Sequence, residues 1–295
     1  MRSYDFVTLD VFTATRFGGN QLAVFTDARG LSDDEMQSLA AEFNLSETTF
    51  VLPPADSANT ARMRIFNRRN EMPFAGHPSL GTGHVLAQQR RDDNGVVRLE
   101  VPAGVVEVKI ERDASGGIQG GTVQAPQPLS LGQEIPVTEV AACANLMPSD
   151  VVVTAHSPIV GSAGNPYVFA EVTDAALTRA APDLGSFQQA AAARASFNGR
   201  FSLFLYVRNG TQVRARMFAP LAGTWEDPAT GSANAPLAGL LLSLSDDESA
   251  TFDVTQGVEM GRPSKLSASA RRTPDGIRVA VGGDCVPMFE GVARL

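Results

Sequence analysis

Gly19-Asn20-Gln21-Leu22-Ala23-Val24-Phe25 and Gly164-Asn165-Pro166-Tyr167-Val168-Phe169 open the same pattern twice within one chain of 295 residues. Two further echoes follow in the same order. Phe43-Asn44 before Phe50-Val51-Leu52 returns as Phe197-Asn198 before Phe204-Leu205-Tyr206, and Arg62-Met63-Arg64-Ile65-Phe66 returns as Arg214-Ala215-Arg216-Met217-Phe218. The spacings between paired blocks are 145, 154 and 152 residues. A fixed order with a drifting offset is what duplication followed by loop insertion leaves behind. The chain therefore reads as two similar halves, 1–120 and 121–283, with the Gly- and Pro-containing stretch Gly116–Gln127 at the boundary.

Each half carries the same kind of elements. In the first, Phe6–Phe12, Gln21–Thr26, Thr48–Leu52, Ala61–Phe66, Val96–Val101 and Val105–Arg112 read as strands. Ser32 with Glu35 three residues on forms a capping box, and Met36, Leu39, Ala40 and Phe43 share one helical face. Gly81–Arg90 reads as an apolar, central helix. In the second half, Val151–Ala155, Tyr167–Val172, Phe201–Val207 and Val213–Phe218 read as strands, Phe187–Arg194 as a helix, and Ala233–Leu244 as a second apolar helix. Ile277–Val281 follows a Pro274-Asp275-Gly276 turn. The expected class is α+β: two pseudo-symmetric domains, each a curved, mostly antiparallel sheet wrapped around a central helix.

Composition narrows the functions. Hydrophobic residues make up 43% and charged residues 19%, as in a folded soluble domain. The net charge is -8 with no basic run longer than two residues, so nucleic acid is not an expected partner. Cys143 and Cys285 form no metal or disulfide pattern, and the three histidines, His77, His84 and His156, have no metal-ligand spacing. No metal is expected. The N-terminus resembles no targeting peptide, and the apolar run Ala235–Leu244 is too short to cross a membrane. A cytoplasmic location with no membrane partner is the default expectation.

Three loops can carry chemistry. In Asn44-Leu45-Ser46-Glu47-Thr48-Thr49-Phe50, Glu47 lies between a helix end and a strand, flanked by apolar residues. Partial burial would make it a general base; a solvated surface glutamate is the competing reading. In Pro73-Phe74-Ala75-Gly76-His77-Pro78-Ser79-Leu80-Gly81-Thr82-Gly83, small residues admit a ligand close to the backbone. Gly76 and His77 precede a helix N-terminus that suits a carboxylate; a structural turn fits equally. In Trp225-Glu226-Asp227-Pro228-Ala229-Thr230-Gly231-Ser232-Ala233, Asp227 suits a substrate amine or hydroxyl, and Gly231 and Ser232 suit an anion, although a plain helix cap explains the same residues. The pairing of the loops favours a site. If the halves face each other, both loops converge on the cleft between them.

These blocks resemble the phenazine-biosynthesis PhzF-like family of the diaminopimelate epimerase superfamily. Asp10-Val11-Phe12-Thr13, Gly19-Asn20, Asn44–Thr48, Pro73–Pro78, Glu226–Ala233 and Gln256–Ser264 carry the likeness in family order along nearly the whole chain. The resemblance implies that the last strand, 284–295, completes the first lobe, and that the protein is a homodimer. It implies isomerisation of trans-2,3-dihydro-3-hydroxyanthranilate type on a small carboxylated substrate, without a cofactor. It assigns acid/base catalysis to Glu47, and substrate binding to Gly76, His77, Asp227, Gly231 and Ser232. The superfamily's two-thiol epimerases are disfavoured, because Ala75 and Thr230 occupy the thiol positions. Departures lie at Asn67-Arg68-Arg69-Asn70, Trp225, Asn234 and Pro236; Pro236 is expected to be tolerated only near the first helical turn.

The expected reaction is an allylic proton shift with Glu47 as base and then acid. A metabolite-binding or scaffolding protein without catalysis, and an epimerase or racemase of the same superfamily, are the alternatives. A Ser232–His77–Asp227 hydrolase triad lacks the GxSxG elbow, and Gly81-Thr82-Gly83 lacks the spacing of a nucleotide-binding loop.

Overall fold

The computed structural model describes residues 1–197 and 199–295, so Asn198 of the second repeat block lies outside the described residues. The chain forms two compact units, one of Met1–Pro126 with Ala280–Leu295 and the other of Gln127–Val279. Among the described residues, no helix is long and apolar enough to cross a membrane.

The first unit contains β1 (Ser3–Val11), β2 (Asn20–Phe25), α1 (Asp33–Phe43), β3 (Glu47–Leu52), β4 (Ala61–Phe66) and β5 (Glu71–Met72). It continues with α2 (Gly76–Gln88), β6 (Val96–Val101), β7 (Gly104–Arg112) and β8 (Ile118–Gln124). The second contains β9 (Ser130–Glu134), α3 (Val137–Cys143), β10 (Val151–Val152), β11 (Ile159–Ser162), β12 (Pro166–Val172), α4 (Asp174–Arg179) and α5 (Leu184–Ala192). It goes on through β13 (Leu203–Asn209), β14 (Gln212–Ala219), β15 (Thr224–Asp227), α6 (Gly231–Ser243), β16 (Ser249–Gln256) and β17 (Ser264–Thr273). The last strand, β18 (Gly276–Arg294), starts in the second unit and continues into the first.

In the first unit, β1 pairs antiparallel with β2, β2 parallel with β3, β3 antiparallel with β4, and β4 parallel with β6. Antiparallel pairs then join β6 to β7, β7 to β8, β8 to β18 and β18 back to β1. Eight strands thus close into a ring, which protects their edges by pairing. Helix α2 fills it, with 12 of its 13 residues buried and contacts to β1, β2, β3, β6, β7 and β8. Burial on every side explains its lack of a polar face. Leu80 and Leu86 are fully buried there, each worth about 1.5–3 kcal/mol.

The second unit repeats this order. β11–β12 is antiparallel, β12–β13 parallel, β13–β14 antiparallel, β14–β16 parallel and β16–β17 antiparallel. Helix α6 has 11 of 13 residues buried and touches β11, β12, β16 and β17. The duplication read from short motifs is thus a duplication of topology. The sheets are more mixed than expected, since each unit contains two parallel pairs.

A second apolar layer covers each sheet. Ser32 and Glu35 cap α1 reciprocally, and Met36, Leu39 and Ala40 are buried. Phe6, Phe25, Phe43, Phe50 and Phe66 pack beside them, with Phe25 stacked on Phe50 at 4.9 Å. Phe187, Phe197, Phe201 and Phe218 lie in the corresponding cluster of the second unit.

Several boundaries differ from the sequence expectation. Helix α2 begins at Gly76 rather than Gly81, and α6 at Gly231 rather than Ala233. Pro78 is the third residue of α2, where a missing N–H costs no helical bond. Gly81 and Gly83 have no room for a side chain: a Cβ would lie 2.6 Å from Leu22 Cδ2 or 2.8 Å from Val108 Cγ1. These packing glycines make the first helical turns resemble a loop in sequence. The expected strand Val151–Ala155 shrinks to Val151–Val152, and the helix expected over Phe187–Arg194 spans Leu184–Ala192. Pro236 is the sixth residue of α6, beyond the first turn, and leaves the Ser232 carbonyl without its helical donor.

Candidate active site

Glu47 is the first residue of β3. Helix α1 ends at Asn44, whose φ of 53° turns the chain, and three residues later Glu47 enters the sheet opposite Leu22 of β2. Asparagine tolerates that left-handed conformation. The Glu47 side chain is only 16% exposed. Its Oε2 lies 3.4 Å from Nε2 of His77, the second residue of α2, which is almost completely buried.

Burial pushes the His77 imidazole down to about 3, opposed by a hydrogen bond with the Gln21 main chain. His77 is therefore neutral at physiological pH, and its contact with Glu47 is not an ion pair. Among the described residues Nε2 makes no hydrogen bond, so the Gln21 bond belongs to Nδ1. Nε2 faces the Glu47 carboxyl.

Two further residues brace this pair. Ser46 Oγ donates to Asn20 Oδ1 at 2.8 Å, and the Asn20 amide nitrogen lies 3.5 Å from His77 Nδ1. Asn20 follows Gly19, whose φ of 63° favours glycine and where a Cβ would lie 2.4 Å from the Val11 carbonyl oxygen. The sequence motifs include Gly19-Asn20 and Ser46 but do not reveal this bracing task. Arg68 donates to the Leu45 carbonyl at 3.2 Å, next to the Glu47 turn, while Arg69 is exposed.

In the second unit, Asp227 ends β15 and is 7% exposed. Gly231 and Ser232 are the first two residues of α6, where helix geometry leaves N–H groups without helical acceptors. Ser232 Oγ lies 2.6 Å from the Tyr167 hydroxyl. Thr230 Oγ1 donates to Asp227 Oδ2 at 2.5 Å. Gln256, fully buried on β16, donates to the Asp227 carbonyl at 2.8 Å and to Thr230 Oγ1 at 3.0 Å. The sequence assigns no site role to Tyr167, Thr230 or Gln256; Gln256 lies 26 and 29 residues from its partners, and no local pattern announces such a bond. Trp225, a departure from the family pattern, is 56% exposed.

The structure therefore brings Glu47 together with Gly76 and His77 in the first unit, and Asp227 together with Gly231 and Ser232 in the second. Both cysteines are buried, and burial pushes the Cys143 thiol up to about 12 and the Cys285 thiol up as well. Neither is a ready thiolate. Among the described residues, no group of three or more His, Cys, Asp or Glu side chains is placed to hold a metal ion.

Comparison with known proteins gives a consistent result. A profile of the phenazine biosynthesis-like protein family matches residues 9–291. The trans-2,3-dihydro-3-hydroxyanthranilate isomerase of Pseudomonas chlororaphis is 36% identical over 301 residues, covering 99% of this chain and 100% of that one. An uncharacterized isomerase of Mesorhizobium japonicum is 34% identical over 303 residues, covering 99% of each. The crystal structure of a PhzF-family phenazine biosynthesis protein from Bacillus anthracis superposes with a TM-score of 0.87 at 22% identity, covering 100% of both chains. That last likeness concerns the fold.

Proposed function

Because the chain belongs to the phenazine biosynthesis-like family and is a PhzF-like isomerase, we propose that it moves a proton between two carbons of a small carboxylated substrate, with Glu47 as base and then acid. The observation that carries this reading is the Glu47 carboxyl, largely buried and 3.4 Å from a neutral His77. The substrate class proposed is a dihydroaromatic amino acid of the trans-2,3-dihydro-3-hydroxyanthranilate type, by analogy with the Pseudomonas chlororaphis isomerase.

The chemistry follows from the groups. An ionised Glu47 removes a proton from a carbon acidified by conjugation with the substrate's unsaturated system. Its carboxylic acid then delivers that proton to a second carbon, and the double bonds shift between them. One group serving both steps leaves Glu47 as it began. The neutral His77 ring, its Nε2 3.4 Å from Oε2, helps keep the Glu47 carboxyl aimed between steps. We assign the substrate carboxylate to the Gly231 and Ser232 N–H groups at the start of α6, and polar substituents to Asp227, Gly76 and His77. The step as written calls on no cofactor. A homodimer in the cytoplasm belongs to the same proposal, and sedimentation of the purified protein tests the dimer.

The test is turnover of trans-2,3-dihydro-3-hydroxyanthranilate followed by NMR in deuterated water. Wild type is expected to convert it and to leave deuterium at the newly protonated carbon, to the extent that the Glu47 carboxyl exchanges with solvent. Glu47→Gln is expected to lose about 10³-fold in kcat, within the range of a general acid–base residue. Undiminished turnover by Glu47→Gln would overturn the assignment.

A further inference from the structure

The start of α6 carries a set of mutually bonded polar side chains, and the start of α2 shows what the same backbone looks like without them. The helix starts Gly76 and Gly231 lie 155 positions apart, and both helices run 13 residues. At that offset Asp227 corresponds to Met72 and Thr230 to Ala75. The parallel registers, Arg62 with Glu100 and Arg214 with Thr255, set Gln256 against Val101 at the same offset. Three apolar residues in one unit thus stand where three hydrogen-bonded polar residues stand in the other.

We propose that Thr230, held by Gln256, is a positioning residue that fixes the Asp227 carboxylate for substrate. The inference rests on the function proposed above. The direction of the bonds is determined. Gln256 Nε2 can only donate, so Thr230 Oγ1 accepts from it and its own hydrogen is left for Asp227 Oδ2. Gln256 Oε1 in turn accepts from the Thr230 N–H at 3.2 Å and from Asn234 Nδ2 at 2.9 Å. The glutamine amide is thereby satisfied on both sides and cannot rotate without breaking bonds inside the protein.

A structural duty does not account for the Thr230 hydroxyl. A threonine at a helix N-cap ordinarily accepts from an N–H of the first turn, and Thr230, the N-cap of α6, makes no such bond. Nor does the helix start need the polar set in order to form. The bond common to both units is a different one: Ser79 Oγ donates to the Ala75 carbonyl at 2.7 Å, and Asn234 Nδ2 to the Thr230 carbonyl at 2.9 Å. That shared bond belongs to the fold, whereas the Gln256–Thr230–Asp227 chain occurs only where a carboxylate must be aimed. The strand end that bears Gln256 is pressed against the same loop, since Gly257, at φ 75°, would bring a Cβ within 2.6 Å of the Pro228 carbonyl oxygen.

The experiment compares Thr230→Val, which keeps the shape and loses the hydroxyl, with Thr230→Ser, which keeps the hydroxyl. Crystal structures of both variants read the carboxylate directly and need no substrate. Asp227 is expected to rotate or split into two conformers in Thr230→Val and to keep its place in Thr230→Ser; an unmoved carboxylate in Thr230→Val overturns the proposal. In the turnover assay, Thr230→Val is expected to lose roughly 10- to 100-fold in kcat/KM, mostly in kcat, with Thr230→Ser within about threefold of wild type. Equal losses in the two variants would also overturn it. Should Thr230→Val fold poorly, Gln256→Met, which keeps the side-chain length without the amide, serves in its place with the same expected displacement of Asp227. Wild-type protein inert toward the substrate would count against the proposed function alone, because the crystal structures still decide the role of Thr230.

Discussion

Helices α2 and α6 each begin three residues after a proline, run for 13 residues, and lie buried inside their sheets, yet their first turns carry different chemistry. The first unit places Glu47 beside a neutral imidazole. At the corresponding register position, just before Leu203 of β13, the second unit has Ser202. The second unit instead has Asp227 under a hydroxyl donor, where the first has Met72. The scaffold therefore needs neither set. What it needs is a short strand, a turn, and a helix that can be buried on all sides.

The largest expected effect separates Glu47 from its counterpart. Glu47→Ser, which makes the first unit match the second, is expected to lower kcat by about 10³-fold while leaving the circular dichroism spectrum unchanged. Ser202→Ala is expected to leave kcat within about twofold. Comparable losses in steady-state assays of the two variants would break the division of labour between the halves.

A second difference lies in the histidines. His77 and His84 are buried in α2, and burial pushes them down to about 3 and about 4. Each has one ring nitrogen with no hydrogen bond among the described residues. His156 of the second unit has partners for both nitrogens, the Ser157 carbonyl and the Tyr206 hydroxyl, each at 2.6 Å. An unfolded chain takes up protons at these imidazoles near pH 6.5, before the folded first unit does. The stability linked to the neutral rings is therefore complete above about pH 6.5 and is lost as pH falls toward 4 and 3. A tenfold change in proton affinity corresponds to about 1.4 kcal/mol, so each ring contributes a few kcal/mol. Hydrogen exchange at about pH 4.5, between the unfolded and folded proton affinities, is expected to open the first unit before the second. His84→Leu is expected to move the acid-unfolding midpoint downward by about half a pH unit or more; a midpoint that stays put would place the acid lability elsewhere.

How much of this was legible in the sequence depended on the range of the interaction. The duplication showed because strand motifs such as Arg64-Ile65-Phe66 and Arg216-Met217-Phe218 repeat locally. The capping box at Ser32 and Glu35 was legible because both partners lie within one turn. The starts of α2 and α6 lie earlier than their local signals suggest, because glycine and proline ordinarily mark loops, whereas here Gly81 and Gly83 answer to strands packed against the helix. Local sequence marked Glu47, His77, Asp227 and Ser232 only as candidates beside a surface glutamate, a turn and a helix cap, and the family resemblance of their loops singled them out. Gln256 and Asn20 did not stand out, since a buried amide acquires its meaning from partners far along the chain.

The smallest effect probes packing and is the sharpest test of equivalence. Gly83 of α2 faces Val108 of β7, and the residues at the matching positions of the second unit are Ala238 and Ala268, which follow from the pairs Val97–Val108 and Phe252–Ala268. One unit combines glycine with valine where the other combines alanine with alanine, so volume has moved from helix to strand. Gly83→Ala would place its methyl 2.8 Å from Val108 Cγ1 and is expected to cost about 1–3 kcal/mol through overpacking, outweighing the better helix propensity of alanine. Val108→Ala alone is expected to cost a similar amount through the cavity it leaves. The double variant recreates the alanine pair of the second unit, and each change relieves the strain or void that the other creates. Its destabilisation in urea unfolding is therefore expected to fall at least about 1 kcal/mol below the sum of the single variants. Simple additivity would mean that Gly83 and Val108 do not share one packing site, and that the two helices are enclosed by different rules.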